Sequence, residues 1–122
     1  MKILLVDDSN TMRRIQKNTL IQIGYDDIAE AADGKLAYDY LKANPDIELV
    51  LMDWNMPNMT GIESLKAIKA DAAIKHIPVI MVTSESEKSR IIEAIQAGAA
   101  NYVVKPFQGD TLKEKIVSTL GK

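Results

Sequence analysis

The chain has 122 residues and a formal net charge of −2; 47% of its residues are apolar and 26% charged. That length suits one domain, residues 1–122, whose core is large enough to need no cross-link. With no cysteine, disulfides and thiolate metal sites are excluded, and the charge balance offers no basic surplus for nucleic acid.

The opening run Ile3–Val6 is rich in branched residues and has no polar alternation, as a strand covered on both faces requires. Asp7 and Asp8 cut it too short for the roughly 7–15 apolar residues of a secretory signal. No run approaches the ~20 apolar residues of a membrane span, so a cytoplasmic protein that does not engage membranes is expected. Ser9 and Asn10 are placed to cap a first helix with Met12, Ile15, Thr19, Leu20 and Ile23 on its inner face, ended by Gly24.

Ile28–Ala32 reads as a weak second strand. Leu36, Ala37, Tyr40 and Leu41 give the next helix its inner face, and Asn44-Pro45 stops it. Leu49–Met52 is a strongly apolar third strand, followed by a helix marked by Ile62, Leu65 and Ile68 that opens near Gly61. Pro78 introduces a fourth strand, Val79–Val82. A helix beginning near Glu85 follows, marked by Ile91, Ala94 and Ile95 and closed at Gly98. Tyr102–Val104 is the fifth strand, and Leu112, Ile116 and Leu120 define the last helix. Strict alternation of strand and helix argues for an α/β fold, a five-stranded parallel sheet with helices on both faces. The expected strand order is 2-1-3-4-5, with the switch point between the first and third strands.

Four of the five strands run directly into polar residues: Asp7 and Asp8, then Asp53, then Thr83 and Ser84, then Lys105. In an open parallel sheet the carboxyl ends share one edge, where ligands bind, so side chains far apart in sequence converge there. Two carboxylates ~4 Å apart repel by about 4 kcal/mol at an effective dielectric of 20. Three of them call for a hard cation, and oxygen-only ligands select Mg²⁺ or Mn²⁺. A lysine at the same edge suits a phosphoryl oxygen, and the Thr83 hydroxyl can donate another hydrogen bond. These are the parts of a phosphoryl-transfer site. The chain has neither G-x-x-x-x-G-K-[ST] nor G-x-G-x-x-G, so the phosphate is expected to arrive on an activated donor rather than on a bound nucleotide.

The segments ILLVDDS, LMDWNMPNMTG, TSE and KPF stand in order at strand ends. In them the chain resembles, over essentially its full length, the receiver domains of two-component response regulators. DDSNTMRRI and DWNMPNMTG are most similar to chemotaxis regulators that carry no output domain. The resemblance implies that Asp53 accepts a phosphoryl group from a phosphohistidine on a histidine kinase. Asp8, Asp53 and the backbone carbonyl of Asn55 would hold Mg²⁺, with Asp7 acting through water. It further implies that Lys105 pairs with the phosphoryl group before a cis Lys105-Pro106 bond, that Thr83 and Tyr102 form a switch pair, and that Asn55 and Glu85 tune self-dephosphorylation. The output partner, a flagellar motor switch protein in chemotaxis, would dock on the face made by the fourth helix, fifth strand and fifth helix, with Lys88 and Lys115 at basic positions. A monomeric signalling protein rather than a conventional enzyme is the expectation.

Blander readings compete at single positions. Asp7-Asp8 could serve a helix dipole, Asp53 a turn, Thr83 and Ser84 a helix cap, and Tyr102 simple packing. Trp54 reads as a partly exposed aromatic beside the site and His76 as a surface residue. For the whole chain, the alternatives are a phosphorelay intermediate, an aspartyl-nucleophile phosphatase, and a flavodoxin-like cofactor binder by fold analogy.

Overall fold

Branched apolar runs flanked by helix-forming segments leave each strand no partner nearby in sequence, so pairing is between crossovers. The computed structural model describes residues 1–83, 88–105 and 107–121, with Lys88 described through its backbone alone. The strands are β1 (Lys2–Val6), β2 (Asp27–Ala31), β3 (Leu49–Asp53), β4 (Val79–Thr83) and β5 (Asn101–Val104). Between and after them run α1 (Asn10–Gln22), α2 (Gly34–Ala43), α3 (Gly61–Ala70), α4 (Lys88–Gln96) and α5 (Gly109–Leu120). All four strand pairings are parallel, in the order β2-β1-β3-β4-β5. The expected fold and order are those observed.

Alternation along the strands divides the interior in two. Leu4, Val6, Val50, Met52, Val79 and Met81 face Ala37 and Leu41 of α2, Leu65 and Ile68 of α3, and Ala94 of α4. Ile3, Leu5, Leu49, Leu51, Ile80, Val82 and Val103 face Leu20 of α1 and Leu112 and Ile116 of α5. β3 and β4 are buried at every position, as central strands covered on both sides must be.

The helices start where the sequence supplies caps. The Ser9 hydroxyl accepts from the Met12 amide at 3.1 Å, the Asp33 carboxylate from Leu36 at 2.8 Å, and Thr60 and Glu63 form a reciprocal capping box. Gly24 follows α1 with φ +104°, a conformation that favours glycine.

Three expected inner-face residues point outward: Ile15 is 52% exposed, Leu36 51% and Ile95 47%. In each helix the inner stripe passes one position over, through Gln16 and Leu20, through Ala37 and Leu41, and through Ala94. One residue along a helix is a 100° rotation, so the expected faces, which rightly held Leu20, Ala37, Leu41 and Ala94, were drawn one residue too wide. β2 begins and ends one residue earlier than expected, and β3 and β4 extend one residue further, taking in Asp53 and Thr83. Residues 84–87, where the fourth helix was expected to begin, lie outside the described residues.

Gly61 fixes the approach of α3 to the end of β3. Its amide donates to the Trp54 carbonyl at 2.9 Å, and a Cβ on it would stand 2.0 Å from the Asp53 carbonyl oxygen. Gly61→Ala is therefore expected to cost about 1–3 kcal/mol of unfolding free energy. Urea denaturation would show this as a lower midpoint; an unchanged midpoint would mean the β3–α3 junction yields freely.

Candidate functional site

The carboxyl ends of β1 and β3 are adjacent because Val6 pairs with Met52. Asp7 follows the first strand and Asp53 ends the third, so the register alone brings them together. Ligand oxygens of Asp7, Asp8 and Asp53 all lie within 4.8 Å of one another. Asp7 and Asp53 are buried at 1% and 8% exposure, while Asp8 faces solvent. At such a separation Asp7 and Asp53 repel by about 3 kcal/mol at an effective dielectric of 20.

Lys105, just beyond β5, supplies the counter-charge. Its Nζ is 3.0 Å from Asp53 Oδ1 and 3.3 Å from Asp7 Oδ2. The Lys105 amide donates to the Thr83 carbonyl at 2.6 Å, continuing the β4–β5 ladder to the lysine itself. Burial pushes the Asp53 carboxyl up; the hydrogen bond and charge of Lys105 pull it back, Asp7 adds to the rise, and the net result lies above the usual carboxylate value. Burial alone would lower Lys105, but Asp53 and Asp7 together outweigh it and hold the ammonium above its ordinary value.

Asp7 is fully engaged. Its Oδ1 accepts from the Ser9 amide at 2.9 Å, and its Oδ2 accepts from Gln16 Nε2 at 3.3 Å as well as from Lys105. Arg13 donates to the Asp7 carbonyl and, through Nε, to Glu30 at 3.1 Å. The β3–α3 loop that carries Asn55 is tied from the other side. Asn58, at φ 66°, donates to Asp33 Oδ2 at 2.9 Å, and Ser64 Oγ donates to the Gly34 carbonyl at 2.8 Å.

Thr83 ends β4 at 3% exposure, one residue beyond the pairing of Asp53 with Val82. Tyr102 is half-buried on β5, paired with Met81, and Lys115 of α5 sits 4.5 Å from its ring centroid. Asn55 is exposed. Ser84, Glu85 and Pro106 lie outside the described residues, as does the side chain of Lys88. Trp54, expected to be partly exposed, is buried at 7%, packed in the α2–α3–α4 core with the Arg90 guanidinium 5.2 Å from its ring centroid. Its backbone carbonyl also accepts from the Gly61 amide at the start of α3.

Sequence reasoning missed Gln16, Arg13, Asp33 and Asn58. Only Gln16 left a usable trace: it is the polar member of the i, i+4 stripe Met12–Gln16–Leu20.

The profile of the response regulator receiver domain matches residues 3–117. The chain belongs to that family. It is 50% identical over 121 residues to chemotaxis protein CheY1 of Helicobacter pylori, covering 99% of this chain and 98% of the relative. It is 53% identical over 116 residues to chemotaxis protein CheY of Pseudomonas aeruginosa, covering 95% of this chain and 93% of the relative. Among solved structures, the CheX–CheY–BeF3–Mg complex of Borrelia burgdorferi superposes with a TM-score of 0.92 at 28% identity, covering 100% of this chain and 90% of that one. CheY4 of Vibrio cholerae gives 0.87 at 34% identity, with 97% of each chain covered. This receiver is thus of the chemotaxis type, a signalling domain rather than a conventional enzyme.

The raised Asp53 carboxyl carries a pH-dependent cost. Above its folded value, the native state holds a carboxylate that the unfolded chain ionises more easily; below both values the difference vanishes. Asp53→Asn is thus expected to raise the urea midpoint at pH 7, with the gain shrinking as pH falls through the folded Asp53 titration. Equal midpoints for the two proteins at pH 7 would contradict the assigned direction.

Proposed function

We propose that the chain is a free-standing response regulator that takes a phosphoryl group onto Asp53 from a phosphohistidine of a histidine kinase and thereby changes its affinity for an output partner. The supporting observation is the cluster of three carboxylates within 4.8 Å, one of them 3.0 Å from Lys105, at the carboxyl edge of a receiver fold. Chemotaxis relatives covered over 98% of their length favour the stand-alone form. Among the described residues no helix is long and apolar enough to cross a membrane, in keeping with a cytoplasmic regulator.

In the transfer, an Asp53 carboxylate oxygen attacks phosphorus, the new O–P bond forms as the donor's N–P bond breaks, and the imidazole departs with a proton from solvent. Burial makes Asp53 more basic than a free carboxylate, which favours attack, while Lys105 favours the ionised form that can react. The oxygen-only cluster of Asp7, Asp8 and Asp53 fits Mg²⁺; Asp8, Asp53 and the Asn55 carbonyl would hold it, with Asp7 acting through water. When bound, the ion supplies neutralisation of phosphoryl charge. Lys105 pairs with the transferred group at the same place where it now pairs with Asp53.

Switching follows from contacts that exist in one state alone. Thr83 turns its hydroxyl to the phosphoryl oxygens and Tyr102 fills the space released, with Asn55 and Glu85 setting how long the phosphoryl group survives. Moving an equilibrium from 1:99 to 99:1 needs about 5.5 kcal/mol, which a few charge-assisted hydrogen bonds at ~1.5–3 kcal/mol each can supply. The output surface is the α4–β5–α5 face, where Ile92, Ile95 and Val117 are exposed apolar side chains and Lys115 covers Tyr102. The flagellar motor switch is the partner this reading assigns to it.

Asp53→Asn should abolish labelling from a small phosphodonor in the presence of Mg²⁺; labelling of the variant at the wild-type level would refute the acceptor assignment. Lys105→Ala should still be phosphorylated yet show no phosphorylation-dependent gain in partner affinity. A gain equal to that of the wild type in a pull-down or titration would count against the coupling role.

A further inference from the structure

Gln16 is 2% exposed on the inner face of α1, in a stripe otherwise made of Met12 and Leu20. A primary amide in such a place needs polar partners, because burying it unpaired costs free energy. Its Nε2 donates to Asp7 Oδ2 at 3.3 Å, the same oxygen that Lys105 Nζ reaches at 3.3 Å. Lys105 also lies 3.0 Å from Asp53 Oδ1. The two donors share more than an acceptor: Gln16 and Lys105 line one small cavity of about 60 Å³, together with Met12, Ile15, Thr19 and Phe107.

We infer that Gln16 is a positioning residue for Lys105: by satisfying Asp7 Oδ2 itself, it lets the ammonium leave that oxygen for an anion bound at Asp53. The inference rests on the reading of Asp53 as phosphoacceptor. Asp7 Oδ1 is already taken by the Ser9 amide, so without the Gln16 amide the Oδ2 lone pairs would have Lys105 as their one partner among the described residues. A carboxylate oxygen at 1% residue exposure cannot turn to bulk water for replacement. Lys105 would then be held back by Asp7 and would be less available to the incoming group. With Gln16 in place, the departure of Lys105 leaves no bare buried oxygen behind. The cavity gives the lysine stem room for that movement, and its walls are otherwise mostly apolar.

The test uses beryllofluoride as the phosphoryl mimic at saturating Mg²⁺, read by the fluorescence of Trp54, the chain's single tryptophan and the residue after Asp53. Gln16→Met and Gln16→Leu put an apolar side chain of similar size in place of the amide on the α1 stripe, so the fold is expected to persist, as circular dichroism would show. Both variants are expected to lose at least about 10-fold in beryllofluoride affinity, the lower end of what one hydrogen bond to a charged group is worth, while Mg²⁺ affinity without fluoride changes less than twofold. In a Lys105→Met background, adding Gln16→Met should have no further effect. Equal losses for Mg²⁺ and beryllofluoride, no loss for either, or an undiminished loss in the Lys105→Met background would each overturn the assignment. If the wild-type chain itself fails to bind beryllofluoride with Mg²⁺, it is the phosphoacceptor reading that falls.

Discussion

One ammonium group offsets the charge that the fold concentrates at its edge. A parallel sheet delivers the carboxyl ends of its strands to a single rim, and here three of the side chains delivered there are carboxylates. Their mutual repulsion is a cost that the hydrophobic interior must carry or that a cation must relieve. Lys105 contacts two of the three, at 3.0 and 3.3 Å. The remaining acid, Asp8, faces solvent, where a hydrated divalent ion can approach without dehydrating fully. The layout thus sets one ammonium against the buried pair and leaves the third carboxylate open to solvent.

The surroundings are built to hold that arrangement still. Asp7 accepts from a backbone amide, from a buried amide side chain and from the lysine. Asp53 stands at the end of a fully buried strand, with the α3 N-terminus pressed against its carbonyl. The loop that follows is anchored by Asn58 to the cap of α2. Rigid elements bearing short, tied loops are the usual way to keep reacting groups within fractions of an ångström. The softer contacts lie farther out, where Lys115 rests on the ring of Tyr102 and Arg90 on that of Trp54.

The sequence revealed what depends on strand ends and little of what depends on helix rotation. Asp7, Asp53 and Lys105 could be placed together because each directly follows or ends an apolar run, and strand order then sets their proximity. Ile15, Leu36 and Ile95 were misplaced because apolar size was weighed above phase. Their neighbours Ala37 and Ala94, also expected inside, are buried, whereas beside Ile15 the inner position belongs to the unexpected polar Gln16. The burial of Trp54 was hidden for a different reason. Its ring joins the α2–α3–α4 core and lies under Arg90 of α4, tertiary contacts that no local pattern encodes. The tie between Asp33 and Asn58 spans 25 residues and joins two polar loop positions of ordinary appearance.

The lysine and the acid it bridges to are 98 residues apart in the chain. During synthesis, which runs from the N-terminus at about 5–20 residues per second, the three acids emerge long before their counter-ion does. A nascent chain that has passed β3 but not β5 therefore carries a bare acidic rim and lacks the last strand pairing that would bring Lys105 to it. Completion of the electrostatic balance therefore coincides with completion of the sheet, when the final strand docks.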